Sequence, residues 1–591
     1  MTDAALPAIA SRPWRGLVRD SRWAALAAWG IAVAGRLSDL GSVGTQFNDT
    51  DDATRLLEVR DLLAGQPWFD LVQHRLDPAF PIPMHWSRLV DAPIALLVLL
   101  FERVTDGATA ERWAMIAWPQ IVLLAAIFAV RALARRLGGN FASTPAVFLL
   151  ALGLSMTWQF VPGRIDHHSV QATLLLWCLS ALLDPTVRGG ALAGALSAGA
   201  LAVGIETVLF QGLAAAAVAA RFLTDPSSRA WTRAYGASLA GTTLMLAAAT
   251  VPPTSWTHGA CDALSLGYIA LLAIGGAGLA LAAARERSRG ARAGWLVAVA
   301  AAALAAFVAA DPACVRGPMA SIDPRLFPVW LDHNQELASW PKTFRQEPVS
   351  GALLMMGPAL GALSAAALLT WPDLRRSPAA VAILACFAVA VVMGSLQIRS
   401  LFYANMLAVP LIAAAIGRFA ERSDRRGGSA LAAVIAGLLL ANNTTWALAA
   451  ASMLPDDAVV KSDAQDSACL NLGSYARLAA LPPGLVVGPI DFGPFVLAAT
   501  RHSVLGAPYH RQAAGIVDGY RMLTEPPAVA IPELRARGAA YVALCSRSRD
   551  FKRYVNVAPD GLLARLDRGE AAPGLEPIET DGLIRIYRVT P

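Results

Sequence analysis

Long apolar runs separated by short polar connections occupy most of the chain, and their length predicts helices that cross a membrane. They fall near 22–40, 112–136, 143–159, 169–184, 189–205, 206–222, 233–252, 265–285, 292–310, 351–371, 378–395, 399–418 and 428–450. The expected fold class is a polytopic α-helical membrane protein of about thirteen transmembrane helices. Within 41–111 the pattern changes: Leu56, Leu57, Val59, Leu62 and Leu63 make a helical stripe over 52–64, and Gly65 stops it. Residues 92–103 are apolar but short, which predicts a helix lying at the interface.

From about 453 the runs shorten and charges return. Residues 485–487, 495–497, 540–544 and 583–587 read as strands, with a helix near 532–538. The expected domains are therefore a membrane unit over 1–452 and a soluble α/β unit over 453–591, large enough for a core of its own. No internal repeat suggests the inverted halves of a transporter.

Of the 591 residues, 56% are hydrophobic and 16% charged, which excludes an ordinary soluble globule. The net charge of +6 does not point to nucleic acid, because the arginines gather between the apolar runs. Clusters such as Arg131/Arg135/Arg136, Arg221/Arg229/Arg233, Arg285/Arg287/Arg289/Arg292, Arg375/Arg376 and Arg418/Arg422/Arg425/Arg426 fall on one side, which the positive-inside rule makes cytoplasmic. Arg12, Arg15, Arg19 and Arg22 put the N-terminus there too, ahead of a retained first anchor. The expected location is a bacterial-type inner membrane, with the loops at about 41–111, 159–168 and 311–350 and the C-terminal domain outside. Cys178 and Cys386 lie in spans, while an oxidising exterior permits the pairs Cys261–Cys314 and Cys469–Cys545.

The candidate chemistry sits in those outward loops. Asp49, Asp51 and Asp52 crowd together beside the membrane, where mutual repulsion favours a divalent cation, or where Asp51 or Asp52 caps the helix that follows. Gly163-Arg164-Ile165-Asp166-His167-His168 offers oxygen and imidazole donors at the entrance of a span, with Asp166 as a cap the simpler reading. Asp332 and Glu336 are four apart and would share a helical face, and Glu336 could close over a metal or acceptor. Arg399, a positive charge at the outer edge of a span, suits a lipid phosphate or headgroup. Glu206 stands between two apolar stretches without an assigned role. In the tail, Asp491-Phe492-Gly493-Pro494 reads as a turn, and Tyr509-His510-Arg511 is polar enough for ligand contact.

Taken in order, these pieces resemble the catalytic subunit of oligosaccharyltransferase, in its bacterial and archaeal single-chain forms, within the GT-C (C-type) membrane glycosyltransferase fold. Asp51 followed by Arg60-Asp61-Leu62-Leu63-Ala64-Gly65 is similar to the motif of the first catalytic aspartate; alignment through Arg55 favours Asp49 instead. Asp77-Pro78 through Met84-His85-Trp86 resembles a proline and His-Trp element, and Gly163 to His168 resembles the second metal motif. The resemblance implies Asp51, Asp166, His168 and Glu336 around Mg2+ or Mn2+, with Asp51, Asp49 and Glu336 as catalytic candidates and Arg399 on the donor phosphate. It implies transfer of a sugar or oligosaccharide from a polyprenyl-phosphate or diphosphate donor to a protein, lipid or polysaccharide acceptor at the outer membrane face. A transporter or flippase for a lipid-linked glycan is the alternative. One departure is plain: Pro489-Ile490 precede Asp491-Phe492-Gly493 where the family has two tryptophans before Asp-Tyr-Gly. The acceptor therefore stays open, and Asp491, Tyr509, His510 and Arg511 are its candidate contacts.

Overall fold

The computed structural model of the protein describes residues 22–153, 157–285, 288–426, 428–453 and 468–591. Arg12, Arg15, Arg19 and Arg287 lie outside the described residues, as do residues 454–467, which follow the expected domain boundary. Every predicted span carries helix, and seven described helices are long and apolar enough to cross a membrane. The chain is a polytopic helical membrane protein with a small C-terminal sheet domain.

Helix Gly107–Gly138 sets the vertical axis of the molecule, since its 32 residues span about 48 Å. Near its start, Met115 accepts the Gly163 N–H and Glu111 pairs with Arg60 at 2.7 Å. At its far end, Arg136 pairs with Asp184 at 2.8 Å, and Arg418 bonds the Leu137 carbonyl while pairing with Asp373. Arginine-bearing connections thus meet at one pole and the acidic loops at the other. The helices approach closely through small residues, as expected where lipid offers no hydrophobic drive. A Cβ on Gly138 would lie 2.4 Å from the Ala414 Cα, so helix Leu401–Arg425 touches Gly107–Gly138 backbone to backbone.

The loop expected to be the first outward one contains helices Thr50–Leu63 and Arg88–Phe101, joined by a buried ionic knot. Asp91 takes Arg55 at 2.7 Å and Arg88 at 3.2 Å. The soluble part holds five strands, β1 Leu485–Val487, β2 Ser503–Val504, β3 Ala539–Cys545, β4 Leu575–Glu579 and β5 Ile584–Val589. Their order is β2-β1-β3-β5-β4, with β1 parallel to both neighbours and the remaining pairs antiparallel.

This sheet does not stand alone. One face shares a core with the first outward loop, in which Phe47, Leu56 and Trp86 join Tyr475, Phe495 and Tyr541. On the opposite face, Leu326, Trp330 and Leu331 of the third outward loop join Val542, Leu544 and Tyr554. Arg60 bonds the Ala498 carbonyl, and Arg75 bonds those of Leu497, Thr500 and His502, so two guanidiniums satisfy the open carbonyl end of helix Gly493–Ala499. Disulfides join Cys261 to Cys314 and Cys469 to Cys545.

Several local expectations change. Residues 495–497 belong to helix Gly493–Ala499, not a strand, because Gly493-Pro494 starts a helix whose first turn needs no proline N–H. The expected span 428–450 is two helices, Ala430–Ala441 and Asn443–Met453; between them the Asn442 side chain accepts the Thr444 N–H. Asp332 and Glu336 do not share a helical face, since Leu331–His333 and Gln335–Leu337 are separate 3-10 turns. Strands β2 and β4 escaped the pattern, one being two residues long and the other carrying Pro577 at the sheet edge.

The tight crossing makes a simple prediction. Gly138→Val should destabilise the protein by about 1–3 kcal/mol through overpacking, seen as a lower unfolding midpoint in detergent. Gly241→Ala, where nothing lies within 4 Å of the new Cβ, should leave that midpoint unchanged.

Candidate active site

Arg164 is the hub of the acidic pole. Gly163, at φ +90°, turns the chain so that Arg164 points back into the first outward loop. Its Nη1 lies 2.8 Å from Asp49 Oδ2 and 2.9 Å from Asp52 Oδ2; its Nη2 lies 3.7 Å from Asp166 Oδ2, and its Nε donates to Gln159. Asp52 also accepts the Ile165 N–H at 2.8 Å and is fully buried. The cap position of helix Thr50–Leu63 is Asp49, not Asp51 or Asp52, and its side chain bonds Arg164 in place of the helix N–H groups.

Asp166 does not cap the following helix either; His167 holds that position. Asp166 Oδ1 accepts from the His167 backbone N–H and faces its Nδ1, both at 2.6 Å, while Oδ2 is buried without a hydrogen bond, 3.5 Å from His168 Nε2. On the far side of His167, Nε2 lies 3.2 Å from Glu206 Oε1. Gln171 donates to Glu206 and accepts from the Tyr403 hydroxyl.

Asp51 is held differently. The Tyr509 hydroxyl lies 2.7 Å from Thr54 Oγ1 and 3.3 Å from Asp51 Oδ1, so the soluble domain reaches directly into the centre. Trp86 packs beneath, with the Arg55 guanidinium 4.2 Å from its ring centroid and the Tyr509 and His167 rings at 5.3 and 6.0 Å. Glu336 and Arg399 approach together, since the Ile398 N–H bonds the Ala338 carbonyl and ties their two turns.

The crowding appears in the protonation equilibria. Burial pushes Asp51 well above the usual carboxylate range, and Asp49, Asp166 and Glu336 add to it. Burial and the Asp49 charge likewise raise Glu336 to about 7, against Arg164 and Arg399. Burial alone would strip the proton from His167, yet Asp166 and Glu206 hold its pKa up at about 10.

The predicted residues thus divide. Asp49, Asp51, Asp166, His168, Glu336 and Arg399 gather around Arg164, and Tyr509 joins them. His510 and Arg511 turn away to Asp262, which takes His510 Nε2 at 2.7 Å and Arg511 Nη2 at 2.7 Å. Asp491 donates its backbone N–H to Asp550 in the soluble domain. Sequence reasoning gave no role to Arg164, His167 or Glu206. The first two stood inside the second-loop motif, and Glu206 was a charge between two apolar stretches, itself a signal of function in a membrane protein.

A divalent cation suits this donor set. Several carboxylates crowd one guanidinium, and a buried Asp166 oxygen lacks a partner beside an imidazole nitrogen. Among the described residues, three groups have ligand atoms within 4.8 Å of one another: His167/His168/Glu206, His85/Asp262/His510 and Cys261/Asp311/Cys314. The last has its sulfurs tied up in a disulfide. Asp51, Asp166 and His168 do not form so tight a group, although Asp166 Oδ2 lies 3.5 Å from His168 Nε2.

No protein-family model matches the chain, and no curated protein sequence matches it. Solved structures do. An archaeal oligosaccharyltransferase, AglB from Archaeoglobus fulgidus, in complex with an inhibitory peptide and a dolichol-phosphate, superposes with a TM-score of 0.67 at 14% identity, over 96% of this chain and 74% of that one. The A. fulgidus oligosaccharyltransferase tethered to an acceptor peptide containing the NVT sequon gives 0.66 at 14%, over 98% and 74%. Its complex with Zn and sulfate gives 0.60 at 15%, over 96% and 73%. The chain has the GT-C fold of these membrane proteins.

The hub predicts its own fragility. Arg164→Met should cost about 3–5 kcal/mol by stranding buried carboxylates. Thermal unfolding in detergent measures it, and combining Asp52→Asn with Arg164→Met should recover part of the loss.

Proposed function

We propose that this chain, with its GT-C fold, is a metal-dependent membrane glycosyltransferase. It moves a sugar or oligosaccharide from a polyprenyl-phosphate or diphosphate carrier to an acceptor at the outer face of the membrane. The observation that carries this reading is the cluster of Asp49, Asp51, Asp166, His168, Glu336 and Arg399 around Arg164, at the pole opposite the arginine-bearing connections. A cytoplasmic arginine pole puts the acidic pole outside.

Asp51, Asp166, His168 and Glu336 are the residues that would hold a divalent cation, which would supply charge neutralisation at the leaving phosphate. Arg399 would bind that phosphate with a delocalised, permanently charged fork. Of the two candidate aspartates, Asp49 has one oxygen on Arg164 and the other on the Thr50 hydroxyl, whereas among the described residues the Asp51 carboxylate hydrogen-bonds the Tyr509 hydroxyl alone. The freer Asp51 is therefore better suited to orient an incoming acceptor. The dolichol-phosphate and acceptor peptide of the similar structures support the donor and acceptor classes. The bacterial-type inner membrane and the acceptor's identity as protein, lipid or polysaccharide belong to the same proposal.

Turnover of lipid-linked saccharide extracted from the producing cell's membranes tests the reading. Asp51→Asn and Asp166→Asn, each correctly inserted, should lower the rate by roughly tenfold to a thousandfold, comparable to losing one electrostatic contact in other enzymes. Wild-type turnover in both variants would sink the mechanism. Chelation should abolish activity, and Mg2+ or Mn2+ should restore it.

The metal dependence should itself depend on pH. A carboxyl at about 7, as for Glu336, is protonated below that pH, so protons compete with the cation there. The half-saturating Mn2+ concentration should fall as pH rises toward 7, by up to about tenfold per unit for one displaced proton, and then level off.

A further inference from the structure

Glu206 sits at a break between two apolar helices, on the 3-10 turn Ile205–Thr207 that joins Val187–Val203 to Val208–Thr224. A carboxylate there is costly to keep and calls for both a partner and a use. Its Oε1 lies 3.2 Å from His167 Nε2, and its Oε2 accepts from Gln171 Nε2 at 2.5 Å. The backbone is shaped to that second bond, since a Cβ on Gly204 would collide with both of its atoms.

From Glu206 two branches run to residues that would hold the cation. His167 carries the first. Its Nδ1 lies 2.6 Å from Asp166 Oδ1, so the ring bridges the two carboxylates, holds that oxygen and leaves Asp166 Oδ2 unbonded. Gln171 carries the second. The Tyr403 hydroxyl donates to its Oε1 at 2.9 Å, which fixes the amide with Nε2 toward Glu206. The same Oε1 lies 3.4 Å from His168 Nδ1, and an amide oxygen can only accept. Nδ1 therefore carries the hydrogen, and in the neutral ring Nε2 presents its lone pair. That nitrogen faces Asp166 Oδ2 across 3.5 Å. Two electron pairs aimed into one gap suit a metal ion.

A second group of metal-like spacing, His85/Asp262/His510, lines a cavity of about 510 Å3 to which Trp86, Ser255 and Ser321 also contribute. There the place of a cation is taken. Arg511 Nε and Nη2 lie 2.8 and 2.7 Å from the Asp262 oxygens, and His510 takes the same carboxylate at 2.7 Å. We propose that Glu206 is a positioning residue for the cation: through His167 and Gln171 it aims Asp166 Oδ2 and His168 Nε2 at one point, without binding the ion itself. This rests on the metal-dependent reading above.

Mn2+ binding to the intact chain in detergent, followed by loss of the free-ion electron paramagnetic resonance signal, tests the proposal without reference to turnover. Glu206→Gln keeps the side-chain volume but cannot accept from both His167 and Gln171. It should raise the Mn2+ dissociation constant roughly tenfold to a hundredfold, the usual cost of losing a group that orients a ligand, with the ion still bound at saturation. Adding Gln171→Glu to that variant reverses donor and acceptor in the bond and restores the single negative charge, so most of the affinity should return. Tyr403→Phe, which only frees the Gln171 amide, should weaken Mn2+ in the same direction. His85→Ala removes a buried nitrogen without a hydrogen-bond partner and should leave the affinity unchanged. Wild-type affinity in both Glu206→Gln and Tyr403→Phe overturns the proposal, as does a loss in Glu206→Gln that Gln171→Glu fails to recover. Complete loss of binding in Glu206→Gln makes Glu206 a ligand instead, and a loss in His85→Ala moves the ion to the cavity; either result overturns the positioning role. Wild-type protein that takes up no Mn2+ overturns the metal-dependent reading and this proposal with it.

Discussion

Arg164 is a buried guanidinium on which two outward loops depend. Its side chain and that of Asp52 are at most 2% exposed, so each charge is stable only because the other is present. The pairing fixes Asp49 and Asp52 against the second loop and thereby sets where Asp51 and Asp166 face. A lysine could not do this, since one ammonium lacks the planar fork that serves Asp49, Asp52 and Gln159 together. The hub does not neutralise everything around it. Asp51 is pushed well up by burial and by its acidic neighbours, and Asp166 keeps an unbonded oxygen. The one fixed cation thus positions the loops and leaves part of the surrounding negative charge uncompensated.

The soluble domain belongs to this electrostatic arrangement. Arg60 and Arg75 hold the carbonyl end of helix Gly493–Ala499, and the shared core around Phe47 and Phe495 seats the sheet on the first outward loop. That seating delivers Tyr509 to Asp51. A neutral hydroxyl is a suitable partner there, because it contacts the carboxylate without competing as strongly for it as a guanidinium would. The other face of the sheet carries Leu326, Trp330 and Leu331 of the third outward loop. Glu336 follows directly, so the tail also bears on how that carboxylate meets Arg399.

The apolar helices were legible because membrane-length apolarity is a local signal. Asp51, Asp166, His168, Glu336 and Arg399 stood out in the sequence as charged or imidazole side chains in loops or at the ends of apolar runs, and the structure brings them to one pole. Arg164 was not legible, although it lay inside a quoted motif, because its role is visible only when residues 115 positions apart in sequence meet at 2.8 Å. Tyr509 was singled out without a partner for the same reason, at a separation of 458 from Asp51. The misread strand at 495–497 shows the complementary weakness. A short apolar run is compatible with either period, and there the Gly493-Pro494 start carried more information than the run itself.

Charge also explains why the acidic pole and its neighbouring cavity remain separate compartments. The acidic pole carries its carboxylates around Arg164. Across Trp86 the opposite conditions hold: Asp262 is closed off by Arg511 and His510, and what remains free is a nitrogen and hydroxyls. The indole, clamped by Arg55, keeps the two environments a ring's width apart. The partition comes nearest Asp51 along its Tyr509 edge.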